Sequence, residues 1–254
     1  MTGISPKRYP KLYQLKSSAP FKLSRTKIEL FTGCPRCFFL DRRLGISRPG
    51  FPAFTLNNAV DYLLKKEFDI HRTKGQPHPL MRAYGIDAIP FAHQHLQDWR
   101  ENFVGVQYHH QPTNLIITGA VDDLWKNTND ELHVVDYKAT STTQEITLDS
   151  PYRQAYKRQM EIYQWLLRRN GFTVSDTGYF VYVNGKTDRT AFDGKLEFDV
   201  QIIPYTGSDA WVEGSITAAH ICLNRRTTPP PSATCLYCAY AAANCKILPI
   251  SNTP

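Results

Sequence analysis

Three observations predict an α/β protein with helices on the faces of a sheet. Apolar residues recur at helical spacing in two long stretches, short runs rich in β-branched and aromatic residues lie between and after them, and no internal repeat interrupts the order. At 254 residues the chain is long enough to bury one substantial core. Its 42% hydrophobic and 21% charged content excludes collagen-like, coiled-coil and globally disordered classes. No apolar run reaches the roughly 18 residues of a membrane span. The N-terminal segment also lacks the apolar stretch of a secretory signal, so the expectation is a cytoplasmic protein with no membrane partner.

Residues 1–22, rich in Pro, Lys and Ser, read as an extended basic arm, and residues 23–254 as a single domain. Ser24 stands where a cap is wanted for a helix through TKIELFTGCPRCFFLDRRLG, with Pro35 marking a break or a fresh start. Beyond a turn at 48–52, Leu56, Val60, Leu63, Leu64 and Phe68 form the apolar stripe of a second helix, with Asp61 on or beside that face. A loop and a helical segment, FAHQHLQDWRENF, follow. The runs 115–125 and 132–138, joined by the polar KNTNDE, predict a hairpin. In YRQAYKRQMEIYQWLLRRNGF, Tyr156, Met160, Tyr163 and Leu167 share one helical face and Gly171 supplies the stop. Residues 177–184 and 195–203 read as strands, WVEGSITAAHICLNRR as a last helix, and the tail TTPPPSATCLYCAYAAANCK as loop-like at first, with a small-residue stretch between cysteines.

Residues 1–48 carry eleven Lys or Arg against Glu29 and Asp41, a net +9, which leaves −2 for the rest of a chain of net charge +7. A cationic arm on a near-neutral body suits a phosphate backbone, because neutralising phosphates releases counterions; a solvated tail is the alternative. Five of the six cysteines, Cys34, Cys37, Cys235, Cys238 and Cys245, fall in two tight groups near the ends of the chain. Without a secretory signal such groups favour metal or cluster ligation over disulfides, and soft sulfur selects zinc or iron-sulfur clusters; buried apolar thiols are the alternative. Convergence of the groups would join the N- and C-terminal parts. Cys222 stands apart and reads as a buried thiol.

Asp136 and Lys138, two apart on a strand, project to one side while Tyr137 points to the other, and a neighbouring antiparallel strand can bring Asp122 to the same end. Charged groups beside such apolar runs must be paired or bind a cation. Two carboxylates offer hard oxygens for Mg or Mn, and an ammonium can orient water and stabilise charge on phosphorus. Asp-x-Lys is also common on exposed strand faces, so a solvated pair stays open. Asp123 reads as a flanking residue. Trp99, Trp125, Trp165 and Trp211 read as core, and His71, His93, His95, His109 and His110 as surface or packing residues.

The order of elements resembles the PD-(D/E)XK nuclease superfamily, in particular its RecB-like branch. Gly-Ala-Val-Asp122 looks like its first carboxylate motif, Asp136-Tyr137-Lys138 like its second, and Gln159 to Tyr163 like the Q-x-x-x-Y motif that follows. The resemblance implies a restriction-endonuclease-like core with a central mixed sheet flanked by helices. It implies catalytic Asp122, Asp136 and Lys138, supported by Gln159 and Tyr163. Mg or Mn would then be held by Asp122, Asp136, the Tyr137 carbonyl, and Asp61 where relatives of that branch place a His. Cys34-Pro35-Arg36 with Cys235, Cys238 and Cys245 is similar to the cysteine pattern of iron-sulfur members, the AddB type and the CRISPR-adaptation exonucleases. The final spacer is one residue longer and Cys37 is an extra candidate, so the resemblance implies a [4Fe-4S] cluster, or else zinc, whose fourth ligand is Cys37 or Cys245.

The expected function is metal-dependent hydrolysis of DNA phosphodiester bonds, in repair, recombination or defence. The competing readings are a nucleic-acid-binding protein that keeps the scaffold without turnover, and a zinc-stapled structural protein.

Overall fold

A computed structural model describes residues 11–50, 52 and 54–247. Among them the elements run β1 (Phe21–Ser24), α1 (Arg25–Gly33), α2 (Pro35–Leu44), α3 (Thr55–Lys74), α4 (Pro79–Ala83), β2 (Ala88–Pro90), α5 (Leu96–Arg100), β3 (Val106–His110), β4 (Leu115–Gly119), β5 (Asp123–Asn127), β6 (Leu132–Thr140), α6 (Gln154–Arg169), β7 (Thr177–Gly185), β8 (Phe198–Thr206), α7 (Ala210–Leu223) and α8 (Leu236–Ile247). The α/β class expected from the sequence is the class observed, with a three-stranded sheet of order β1-β4-β3 and a mixed five-stranded sheet of order β2-β5-β6-β7-β8. No helix among the described residues is long and apolar enough to cross a membrane.

The chain divides into two compact units. The first comprises residues 1–51, 109–117 and 213–254. Pro35 does open a fresh helix, since its fixed φ suits the first turn of α2 and its missing N–H costs nothing there. Ser24 stands at the start of α1 but its side chain makes no capping bond. Gly45, at φ +74°, ends α2 in the left-handed conformation that glycine adopts without steric cost. Asp41 of α2 is buried and held by Lys27 (2.9 Å), Ser47 Oγ (2.8 Å) and Arg42. Burial alone would raise its pKa, and those three donors together hold it below the usual carboxylate value.

Of the expected basic arm, residues 1–10 lie outside the described residues. Within 11–20, Tyr13 is docked on the unit: its N–H donates to the Arg42 carbonyl (2.8 Å), Arg43 Nη1 donates to its carbonyl (2.9 Å), and its ring meets Phe21 edge-on. The C-terminal tail is irregular up to Cys235, as expected of its start, and then forms α8 over 236–247, because the Ala-rich run after Cys238 is strongly helix-forming.

The second unit comprises residues 52–108 and 118–212. Its β5-β6 hairpin is antiparallel, and α6 makes the crossover that lets β7 run parallel to β6. The expected strand over 115–125 is two strands, β4 and β5, interrupted at 120–122 and belonging to different sheets. The expected helix over 91–103 shrinks to α5. Period-2 alternation sorts β6: Val135 and Tyr137 join Leu64 and Phe68 of α3, Trp125, Val181 and Val183 in one cluster. Asp136 and Lys138 face α6 on the other side, as their spacing predicts.

Candidate functional site

Five segments of the second unit converge on Asp122 and Asp136. Asp136 is fully buried, at 0% exposure; it accepts a hydrogen bond from Gln159 Nε2 (2.6 Å) and forms an ion pair with Lys138 Nζ. Gln159 Nε2 also donates to Tyr163 Oη (3.1 Å), so the i, i+4 pair on α6 orients the carboxylate from behind. Gly119 explains the start of the G-A-V-D motif. A Cβ there would lie 2.5 Å from Tyr163 Cε1, so only glycine lets the chain pass that ring.

Asp122 lies just before β5 rather than on a strand. Its Oδ2 accepts from the Tyr137 N–H (3.0 Å) and its Oδ1 from Lys65 Nζ (3.2 Å), while Lys65 also donates to Asp61 (2.7 Å), one helical turn away on α3. Lys65 was not anticipated from the sequence, although an i, i+4 Asp-Lys pair on one helical face was there to be read. Three carboxylates and two ammonium groups thus share the site. Burial would lower the Lys138 pKa, but Asp136 and then Asp122 hold it above the ordinary lysine value. Lys65 behaves alike, with Asp122 and Asp61 overcoming its burial. Both therefore stay protonated near neutrality, able to donate hydrogen bonds and unable to accept a proton. Asp61 is pushed up, first by burial and then by Asp122.

Asp123 does more than flank the site. At 0% exposure it binds Arg72 (2.5 Å), Arg100 (3.1 Å) and the Tyr137 hydroxyl (2.7 Å), and Asp69 joins the same two arginines. Arg100 Nε also donates to the Asp122 carbonyl (3.0 Å), which fixes the backbone that presents the Asp122 side chain. Adjacent aspartates thus serve opposite sides of the chain. These groups lie 14 to 54 positions away in the sequence, and no local signal announces them. Glu161 was likewise unforeseen: it is buried on α6, accepting from Tyr205 Oη and Trp211 Nε1 at 2.6 Å each. Trp125 and Trp165 are core residues, and Trp99 is half-buried against His93. His110 is buried between Thr113 and Glu213 of the first unit.

In the first unit, the Sγ atoms of Cys34, Cys37, Cys235 and Cys238 all lie within 4.8 Å of one another. The individual approaches of 3.5–3.8 Å are too long for disulfides, whose sulfurs stand about 2.05 Å apart. Local geometry sets each pair and tertiary structure joins the two: Cys34 occupies the α1–α2 junction, Cys37 the first turn of α2, and Cys235 and Cys238 the N-terminal end of α8. Cys245 is exposed and outside the cluster. It follows Cys238 by seven residues in one helix, a displacement of about 10 Å along the axis. Cys222 is a buried thiol that donates to the Pro35 carbonyl (3.7 Å).

Arg48 Nη2 donates to Cys235 Sγ (3.3 Å), and its guanidinium lies over the Tyr237 ring. Burial pushes the Cys34 thiol up, but hydrogen bonds from the Ser232 and Cys37 N–H groups bring it down to about 6; Cys37 and Cys238 are raised, chiefly by burial. A set of four sulfurs fits a soft or borderline metal centre, either tetrahedral zinc or an iron-sulfur cluster. The second unit offers oxygen ligands with one excess negative charge, the chemistry of a hard divalent cation.

A family model described as the PD-(D/E)XK nuclease superfamily matches residues 22–245. Among solved structures, that described as the crystal structure of SSO0001 is similar over 90% of this chain and 87% of its own, with 16% identity and a TM-score of 0.41. No curated protein matches the chain.

Proposed function

Because the chain belongs to the PD-(D/E)XK nuclease superfamily, we propose that it is a metal-dependent nuclease of the RecB-like branch that hydrolyses DNA phosphodiester bonds in repair, recombination or defence. The observation that carries this reading is the trio of Asp122, Asp136 and Lys138, with Asp136 and Lys138 paired on one face of β6 and Asp122 tied to the backbone of the same strand. Asp122, Asp136 and the Tyr137 carbonyl would hold Mg or Mn, with Asp61 on its flank. When bound, that ion supplies Lewis-acid stabilisation of charge on phosphorus and a more acidic water. Lys138, kept as an ammonium by its two aspartates, donates to the attacking water or to a phosphate oxygen and so orients one against the other. Gln159 holds Asp136 in place, and Tyr163 holds Gln159.

The four cysteines of the first unit would hold a [4Fe-4S] cluster, with zinc as the competing occupant, and Cys37 as the fourth ligand. Four converging thiols without a nitrogen or carboxylate ligand in the group support a soft-metal centre and suit either occupant. Incubating the purified protein with Mn and labelled single- and double-stranded DNA tests the nuclease reading. Product formation that vanishes with EDTA is expected, and retention of DNA without cleavage would instead support the non-catalytic binding protein. Broad visible absorption with both iron and sulfide tests the cluster, and colourless protein containing zinc rejects it.

A further inference from the structure

Beside Lys138, on the α6 side of the five-stranded sheet, is a cavity of about 140 Å³ lined by Lys138, Ala139, Thr140, Arg153, Tyr156 and Tyr182. Its volume is several times the roughly 30 Å³ that a water molecule occupies in the liquid. Lys138 and Tyr182 are register partners on parallel β6 and β7, so their side chains rise from the same face. The Arg153 guanidinium lies 5.5 Å from the centre of the Tyr182 ring, and Lys138 Nζ lies 4.7 Å from that of Tyr156. Arg153 spends one nitrogen on the Thr147 carbonyl. Tyr182 is 2% exposed, yet its hydroxyl has no hydrogen-bond partner among the described residues. A buried hydroxyl left without a partner costs about as much as a lost hydrogen bond, so it asks for a ligand. No acid lines the cavity, and Arg153 immediately precedes the positive N-terminal end of the 16-residue α6.

We propose that this cavity is a backbone-phosphate subsite that seats a phosphodiester of the nucleic acid next to the one presented to Asp122 and Asp136. The assignment rests on the nuclease reading for its ligand, and on the cavity for its place. Arg153 supplies the charge, the Tyr182 hydroxyl donates to a phosphate oxygen, and Lys138 faces both this phosphate and the reacting one. Arg153 and Tyr182 are positioning residues: they fix the register of the strand on the site and take no part in bond making.

The test is binding in EDTA, where no cleavage occurs, followed by fluorescence anisotropy of a labelled single-stranded 12-mer. Arg153→Gln is expected to weaken binding about tenfold and Tyr182→Phe, which keeps the ring and its packing, about fivefold. The slope of log affinity against log salt should fall by about 0.7 for Arg153→Gln and stay unchanged for Tyr182→Phe, which removes no charge. Arg153→Lys should restore the slope. Replacing phosphates one at a time by neutral methylphosphonate should reveal one position whose effect on the wild type disappears in Arg153→Gln. The absence of any such position, or wild-type binding by both variants, overturns the subsite. Inorganic phosphate bound by the wild type and lost in both variants, with DNA binding unaltered, would make the cavity a free-phosphate site and reject the assignment. Coupling to Arg153 without Mn-dependent cleavage would refute the nuclease reading and keep the subsite; cleavage without coupling would do the reverse.

Discussion

Both units gather ligand-type side chains from distant parts of the sequence, Cys34 and Cys37 with Cys235 and Cys238 in one, Asp61 and Asp122 with Asp136 in the other, and they balance those charges differently. The carboxylates come with their own cations: Lys65 bridges Asp61 and Asp122, and Lys138 pairs with Asp136. The thiols crowd within 4.8 Å of one another, with Arg48 donating to Cys235. A site whose charges are already paired can fold before its ion arrives. A knot of thiols gains most of its stability when a metal or cluster is bound, because the ligands are not assembled in the unfolded chain. The cysteine site is therefore expected to govern stability, and the carboxylate site to govern reaction.

The largest effect should come from breaking the cysteine site. Cys37→Ser or Cys235→Ser is expected to release the metal and cost upwards of about 3 kcal/mol, a fall in Tm of at least about 6 °C for a chain of this size. Cys245→Ser, two helical turns beyond the cluster, should change Tm by less than about 2 °C, as for surface substitutions. Thermal unfolding alongside metal analysis decides it. Metal retained in Cys37→Ser and lost in Cys245→Ser would reverse the ligand assignment.

Next comes the carboxylate site, where the loss should appear in rate rather than in folding. Lys138→Met is expected to lower Mn-dependent cleavage by about 10² to 10³, or roughly 3–4 kcal/mol of barrier. Mn affinity, read by calorimetry, should survive, because an ammonium is not a ligand. Asp136→Asn should weaken both. A Lys138→Met protein that cuts at the normal rate would remove the lysine from the mechanism.

Much of this contrast was legible in the sequence, and the parts that were not share a cause. Period-2 alternation separates Asp136 and Lys138 from Tyr137, and 3.6-residue spacing sets Gln159 over Tyr163; both are local rules. Asp123 reads as no more than a flanking residue because its partners, Arg72, Arg100 and Tyr137, are brought to it by tertiary structure alone. The end of β4 needs a glycine at position 119, where the chain passes a tyrosine 44 residues later. The helix that separates Cys238 from Cys245 has a signal in its alanines, which follows directly on a Pro-rich segment that reads as loop.

A smaller effect distinguishes the two units by acid titration. Asp41 in the first unit has a depressed pKa, so its contribution is present above the unfolded value near 3.8 and lost as pH falls through the folded one. Asp61 in the second has a raised pKa, so the folded state prefers its protonated form and stability is lost as pH rises from 3.8 through the folded value. Without metal, Asp41→Asn should cost about 1–3 kcal/mol at pH 7, an effect that fades in strong acid. Asp61→Asn should stabilise the protein at pH 7 and do nothing below about pH 3. Urea midpoints measured from pH 2.5 to 7 read both, and the same sign for the two variants at pH 7 would defeat the charge-balance argument.

The smallest effect concerns the basic N-terminus. Residues 1–10 contribute Lys7 and Arg8, whereas residues 11–20 hold Tyr13, whose backbone and ring are bound to α2 and β1. Deleting 1–20 would therefore mix lost charge with the loss of Tyr13, whereas deleting 1–10 removes Lys7 and Arg8 and spares Tyr13. If the arm touches phosphates, the shorter deletion should reduce the salt slope of single-stranded DNA binding by up to about 1.4, two contacts at roughly 0.7 each. If it is a solvated tail, the slope will not move, and the deletion to residue 20 will lower Tm without changing it either. The second outcome would place the phosphate-binding charge in the folded units, where Arg153 and Lys138 already line a cavity.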